Sequence, residues 1–385
     1  MITLKKGAHV PRITVTPKAL TAINRATKVV GDMAGGHTFY VVQPTPDTYA
    51  IAVVSENSEA VVTVDVVGEG NQYTPYREPF SIPAAVFYGS GGRTLAIGTE
   101  TVSVETTATM VTYDLPGEGE HHGQHVDAIA STIAAVMAGA GQADMFTIPA
   151  ITLEGIATAL CTDYARPILT NAHVDGGDIV ATDSYRLAYA PVESGDVVGE
   201  LSGAAIRYAL TVKASTYLVR FAAEGERAVI AGGGVAVMYR FHPIGGNFPG
   251  WRKLIPDTST MSELISTPNG VATAKAFTAT VKAAGGIKAA QTSPAIFTRD
   301  GVTMSVKGDT YAITGAMVPG SWFEPSASGT GAGVDGACRF NATYMAAALG
   351  NYTGAAYVQV NDNTRPAVIT GIGSPVVSLL MPVRG

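Results

Sequence analysis

Five residues, Thr182-Asp183-Ser184-Tyr185-Arg186, set a carboxylate, a guanidinium, a phenol and two hydroxyls side by side. They follow a short β-type run, Asp178-Ile179-Val180, and lead through Leu187 and Ala188 into a second, Tyr189-Ala190-Pro191-Val192. An aspartate at the start of such a turn can accept hydrogen bonds from the backbone two and three residues on, so Asp183 is expected to cap it. His121 and His125 stand at i, i+4 beside Glu118 and Asp127, a spacing that suits a metal. Nothing apolar surrounds them, so an exposed linker is the better reading. Gly331-Ala332-Gly333-Val334-Asp335-Gly336 spells a dinucleotide fingerprint, but it lacks the preceding strand and the helix opening directly after it. It is expected to be a loop. Cys161 and Cys338 lie 177 residues apart, with no metal-ligand spacing, and read as buried thiols in a reducing cytosol. No phosphate-loop, nucleophile-elbow, zincin or C-x-x-C motif occurs. These residues point to binding, not turnover.

The elements that must hold them are numerous and short. A chain of 385 residues with 46% hydrophobic and 15% charged residues suits two or three packed domains and little disorder. Forty-four glycines suggest many tight turns. The net charge of −6 argues against a wholly basic nucleic-acid binder, yet a local cluster of Lys and Arg is enough for one surface. The first residues lack the apolar core of a signal peptide, and no run of about 18 apolar residues exists, so a soluble intracellular protein is expected.

A threefold layout runs through the pattern. Ile13–Val30, Phe146–Cys161 and Val271–Ala284 each read as a strand followed by a helix, with Leu20, Leu153 and Phe277 inward. Those three are 133 and 124 residues apart, about a third of the chain, which indicates repeated units. A second series, Phe80–Phe87, Leu210–Leu218 and Arg339–Met345, reads as a strand running into a short helix, giving six helices. Strand-rich stretches lie between, and Pro116–Gln142 interrupts the scheme with a linker and one further helix. Lys18, Arg25 and Lys28 fall opposite Leu20 and Ile23; Lys213 and Arg220, and Lys275 and Lys282, repeat a seven-residue spacing on their own helices. Residues seven apart on a helix are nearly in line, so a shared basic lining is expected.

Four separated motifs resemble the bacterial sliding clamp, the DNA polymerase III β subunit family. They are Thr182-Asp183-x-x-Arg186-Leu187-Ala188, the Asn247–Pro256 segment, Phe340-Asn341-Ala342-Thr343-Tyr344, and Met381-Pro382-Val383-Arg384 at the tail. The resemblance implies an α+β fold of three tandem clamp domains, each with two helices on antiparallel sheets, assembled head-to-tail into a homodimeric ring. The cuts would be residues 1–120, a linker 121–143, 144–250 and 251–385. It implies a non-enzymatic processivity factor that encircles double-stranded DNA without sequence preference, with Lys18, Arg25, Lys28, Lys213, Arg220, Lys275 and Lys282 facing the duplex. Partners would be the replicative DNA polymerase, a clamp loader and other proteins with a clamp-binding motif. No cofactor, metal or membrane is implied, and the location would be the cytoplasm, at the nucleoid of a bacterial or phage-infected cell. The partner peptide would enter a cleft lined by Leu169, Thr182, Ser184, Tyr185, Arg186, Leu187, Pro249, Lys253, Leu254, Asn341, Tyr344, Leu380, Met381, Pro382, Val383 and Arg384. The leucines and Met381 would form its apolar floor, while Asn341 and Arg186 would orient the ligand. Ser184-Tyr185 stands where the family usually has Gly-His, and Val383 and Gly385 also depart from its tail. A clamp-fold paralogue acting as a protein-binding platform or decoy is the alternative reading.

Overall fold

The computed structural model describes residues 12–29, 37–45, 48–55, 58–69, 80–87, 91–97, 101–114, 145–163, 165–221, 227–240, 247–261, 263–267, 269–283, 294–298, 301–306, 309–312, 324–325, 338–360 and 364–383. Among them are five α-helices: α1 (Pro17–Val29), α2 (Ala150–Ala157), α3 (Gly203–Thr211), α4 (Gly270–Ala283) and α5 (Ala342–Leu349). The chain divides into two units, each built from two separated stretches: Met1–Ile148 with Ala204–His242, and Pro149–Gly203 with Pro243–Gly385. The middle of the sequence therefore contributes to both.

The first unit is organised on an antiparallel sheet with twelve described strands. Its main path runs Met110–Asp114, Thr101–Glu105, Arg93–Ile97, Arg12–Val15, Ser58–Glu69, Val235–Arg240, Arg227–Gly232, Thr216–Phe221 and Met145–Pro149. Ile13 and Val15 alternate inward on their strand, as the two-residue period of a half-buried strand requires. Helix α1 starts where Thr16 Oγ1 accepts the Ala19 amide at 3.1 Å and Pro17 supplies a preset φ at the first position. Leu20, Ile23 and Ala26 form its buried stripe, laid against the strands Thr48–Ser55 and Ser58–Glu69.

The second unit holds a nine-stranded sheet, in the order Val198–Ser202, Asn171–Asp175, Asp178–Thr182, Arg186–Pro191, Val377–Leu380, Ala367–Gly371, Ala356–Val360, Glu263–Thr267 and Glu324–Pro325, and a separate four-stranded sheet. Helix α2 lies on the strands Asp178–Thr182 and Arg186–Pro191, and α4 packs on α5. Phe277, Phe340, Met345, Leu349, Val358, Ile369 and Leu380 share one core, each large side chain contributing about 1.5–3 kcal/mol on burial. Tyr352 stands fully buried in it, its one hydroxyl proton shared between two carbonyls, Ile369 O at 2.8 Å and Val376 O at 2.7 Å.

Strand-then-helix units occur at all three first-series positions expected from the pattern. In the second series, Ala84–Phe87 is a 3₁₀ turn after the strand Phe80–Ile82, and α5 follows Cys338–Asn341. The middle member needs correction. Leu210 and Thr211 end helix α3, and Thr216–Phe221 is a strand. The Thr211 hydroxyl donates to Tyr208 O at 2.7 Å and Lys213 takes φ +56°, so the helix stops there. Tyr217, Val219 and Phe221 then alternate inward, the period of two of a strand where a short helix is expected from the sequence. The true strand-and-helix pair lies upstream, Val198–Ser202 into α3. The Pro116–Gln142 interruption, His121, His125 and the Gly331–Gly336 run lie outside the described residues.

Candidate functional site

The Thr182–Arg186 turn is built as its sequence predicts, and more tightly. Asp183 is buried, and its Oδ1 accepts the amides of Tyr185 and Arg186, both at 3.0 Å. Its Oδ2 accepts Arg186 Nε at 2.9 Å. Thr182 Oγ1 donates to Arg186 O at 2.7 Å and accepts the Ser184 amide at 3.2 Å. Ser184 itself sits at φ +79°, the left-handed region in which a Cβ is disfavoured. Arg166 braces it from outside: Nη1 donates to Asp183 O at 2.9 Å and to Ser184 Oγ at 3.1 Å, while Nε donates to Asp163 Oδ2 at 3.2 Å.

The tail completes the site. Val377–Leu380 pairs with the second hairpin strand, Arg186 opposite Leu380 and Leu187 opposite Leu379, and with Ala367–Ile369 on its other side. Beyond the strand, the Met381 amide donates to Tyr185 O at 2.9 Å and the Val383 amide to Arg339 O at 2.6 Å. Asn341 caps α5, its Oδ1 accepting the amides of Thr343 at 2.9 Å and Tyr344 at 3.2 Å. This fixes Tyr344, over whose ring the Arg186 guanidinium stacks at 4.1 Å. Burial, with the Asp183 charge adding to it, pushes the Tyr344 phenol up, so it stays a neutral donor. The hairpin turn, the start of α5 and the tail enclose an open pocket of about 510 Å³ lined by Ser184, Tyr185, Asn341, Tyr344, Met381, Pro382 and Val383. Apolar lining with a few placed polar groups suits a short peptide or a small apolar ligand.

The sixteen residues assigned to a cleft from sequence thus separate by role. Seven line the pocket. Leu169, Thr182, Leu187 and Leu380 are buried behind it, with Leu187 in a cluster of Val180, Trp251, Val368 and Leu379. Arg186 is engaged by Asp183 and Tyr344, and the Asn341 carboxamide oxygen is spent on the helix. The floor is therefore tyrosine, methionine, proline and valine, not leucine. Pro249, Lys253 and Leu254 are exposed on the segment Asn247–Pro256, and Arg384 lies outside the described residues. That segment is fastened to the hairpin Asn171–Thr182: Trp251 is buried, and Arg252 bonds the Asp175 carboxylate, Asp175 O at 2.8 Å and Asp178 Oδ2 at 2.8 Å. Phe248 stacks on His173 at 4.8 Å. Sequence reading missed the brace Asp163–Arg166, for which the only signal was an i, i+3 pair of opposite charges.

The candidate basic lining divides differently. Lys18 and Arg25 are exposed on α1, opposite its buried stripe, and Lys275 is exposed on α4, opposite Phe277. None of the three forms an ion pair among the described residues. The side chains of Lys28 and Lys282 lie outside the described residues. Lys213 and Arg220 share no helix: Lys213 follows the end of α3, and Arg220 is half-buried on a strand. Their seven-residue alignment is overturned by the change from helical to strand period. Sequence reading passed over Arg207, exposed on α3. Tyr208 OH, next to it in the chain, donates to Ala22 O at 2.8 Å, which ties α3 to α1.

Among the described residues no group of three or more His, Cys, Asp or Glu could hold a metal, and no helix is long and apolar enough to cross a membrane. No protein-family model and no curated protein matches the chain. Solved structures do. The DNA polymerase III β subunit of Thermotoga maritima is 16% identical with a TM-score of 0.65, covering 97% of this chain and 100% of its own. The β chain from Streptococcus pneumoniae is 15% identical with a TM-score of 0.66, covering 98% and 100%. The β subunit of Borrelia burgdorferi, solved in complex with a natural product, is 10% identical with a TM-score of 0.67, covering 97% and 99%. Across nearly its whole length, this chain has the fold of the bacterial sliding clamps.

Proposed function

We propose that the chain is a DNA sliding clamp: a non-enzymatic ring around duplex DNA that tethers the replicative polymerase and other proteins through the pocket beside Tyr185. The full-length fold match, at both ends of the comparison, is the observation that carries this reading. Three features support its parts. The strand Met110–Asp114 ends the described twelve-stranded sheet with Met110 68% and Val111 45% exposed; an unpaired apolar edge invites a second strand, as a homodimeric ring needs. Lys18, Arg25 and Lys275 are exposed cations opposite buried helix faces, suited to sequence-independent phosphate contact; Lys28, Lys213, Arg220 and Lys282 remain candidates for the same role. The pocket suits a short extended peptide, the form in which a polymerase, a clamp loader or another partner would dock.

Three successive clamp units, 1–120, 144–250 and 251–385 with a linker between the first two, fit the recurring strand-and-helix pairs. The cytoplasm, at the nucleoid, is the compartment this role requires. The test is primer extension on a primed single-stranded circle with the cognate polymerase and loader. The clamp reading expects products many times longer when the chain is added. Unchanged product length contradicts it.

A further inference from the structure

We propose that His173 and Glu200 form a proton-sensitive latch for the segment Asn247–Pro256, which fastens more tightly when the pair takes up a proton. The two residues stand directly opposite each other on the antiparallel strands Asn171–Asp175 and Val198–Ser202. Glu200 Oε1 lies 2.7 Å from His173 Nδ1. The other carboxyl oxygen, Oε2, is buried and has no hydrogen-bond partner among the described residues. A carboxylate half satisfied in this way holds its charge out of water at a cost. Phe248, from the segment, lies flat on the imidazole, with ring centroids 4.8 Å apart and planes within 9°. The latch is independent of the docking pocket and of the DNA-facing cations.

The other titratable groups around the pair keep their charge state near neutral pH. Asp175 shares a strand face with His173, two residues on, and Asp178 lies opposite Asp175 across the hairpin. Arg252, from the segment, bonds both carboxylates. At Asp175 it outweighs burial, so that carboxyl stays ionised. Lys253 is exposed on the same segment. Tyr189, one strand further on and tilted against Trp251, stays neutral because burial and the Asp178 charge push its phenol up. Glu200 moves the opposite way to Asp175: burial, outweighing the hydrogen bond and charge of His173, raises its carboxyl. One proton makes the pair neutral overall. On the carboxyl it reverses the hydrogen bond; on the ring it forms an ion pair and sets an imidazolium against the Phe248 face. Opening the segment returns the imidazole to water, so the closed form binds the proton more tightly. That contribution is complete below the usual glutamate range and is lost as pH rises through the raised value.

The test is hydrogen exchange of the full chain at about pH 5.5 and about pH 8.5, each amide rate being divided by its intrinsic rate at that pH. The amides of Trp251, Lys253 and Ile255 bond to carbonyls within the segment, so their protection reports its closure. It should be about threefold or more higher at the lower pH, while the amides of α2, in the same unit, show no such ratio. Glu200→Gln is neutral at both pH values and keeps the shape of the protonated carboxyl. It should bring the ratio to about one, with protection near the unaltered protein's value at the lower pH. His173→Gln removes the ring under Phe248 and should also give a ratio of about one, with protection low at both. A ratio that persists in Glu200→Gln overturns the inference, because the carboxyl would then be structural only. A ratio of about one in the unaltered protein, or an equal ratio at α2, overturns it as well.

Discussion

The turn at Asp183 and the exposed face of α1 are opposite solutions to recognition. At the turn, one buried carboxylate takes two amides and a guanidinium, a second arginine braces the outside, and the tail closes the edge. On α1, Lys18 and Arg25 extend from the helix with no ion pair among the described residues. A fixed constellation selects one ligand shape, since the ordering free energy is spent in folding and not in binding. Exposed cations hold any phosphate equally and release it readily. The proposed clamp, sliding along DNA while holding chosen proteins, would need both.

Removing Met381–Gly385 is the most severe way to break the comparison. It deletes three of the seven pocket-lining residues and should lower affinity for a docking peptide more than tenfold. The strand Val377–Leu380 and the proposed dimer should remain, checked by anisotropy and light scattering; loss of that dimer on truncation alone would contradict the assignment of the tail to the pocket. Asp183→Ala comes next. It leaves Arg186 without its carboxylate and two amides without acceptors, at a cost of about 2–4 kcal/mol. Hydrogen exchange should show the amides of Tyr185 and Arg186 losing protection while those of α1 are unchanged.

Reversing Lys18, Arg25 and Lys275 to glutamate should do the converse: peptide affinity unaffected, retention on DNA reduced, and the salt slope of retention smaller by about one unit for each lost phosphate contact. Equal retention would remove the α1 and α4 faces from the DNA surface. The smallest effect is expected at the segment Asn247–Pro256. Burial raises the Asp175 carboxyl, but the Arg252 hydrogen bond and charge outweigh it and hold the group below the usual carboxylate range. A depressed carboxyl contributes stability above its unfolded value, lost as pH falls through the folded one. Fastening by Arg252 should therefore be constant at neutral pH and weaken below about pH 4. Arg252→Ala should abolish that acid dependence, followed by exchange at the Trp251 amide.

How much could be read from sequence follows the same division. The turn was legible because Asp-x-x-Arg is local chemistry, with every partner of the Asp183 carboxylate within three residues. Helix α1 was legible because Leu20 and Ile23 repeat at helical spacing opposite Lys18 and Arg25, whereas the caps Thr16 and Asn341 emerge only from the structure. The alignment of Lys213 with Arg220 failed because a seven-residue spacing implies a shared face only if one helix runs through both, while Tyr217, Val219 and Phe221 fit a strand, and the φ of Lys213 that ends the helix is not written in the sequence. The pocket floor was misread for another reason. Leu187 and Leu380 face cores assembled by strand pairing over nearly two hundred residues, so only register reveals that they do not line the pocket. Arg166 escaped notice because its partner, Ser184, is distant in sequence and unremarkable in type.

The central claim is encirclement, and it is tested most directly by loading the chain on a nicked circular plasmid and then cutting the circle once. A clamp stays on the circle through gel filtration at a salt concentration that abolishes ordinary phosphate contacts, and runs off when the DNA is linearised. Equal retention before and after cutting, or no retention on the circle, would contradict the account.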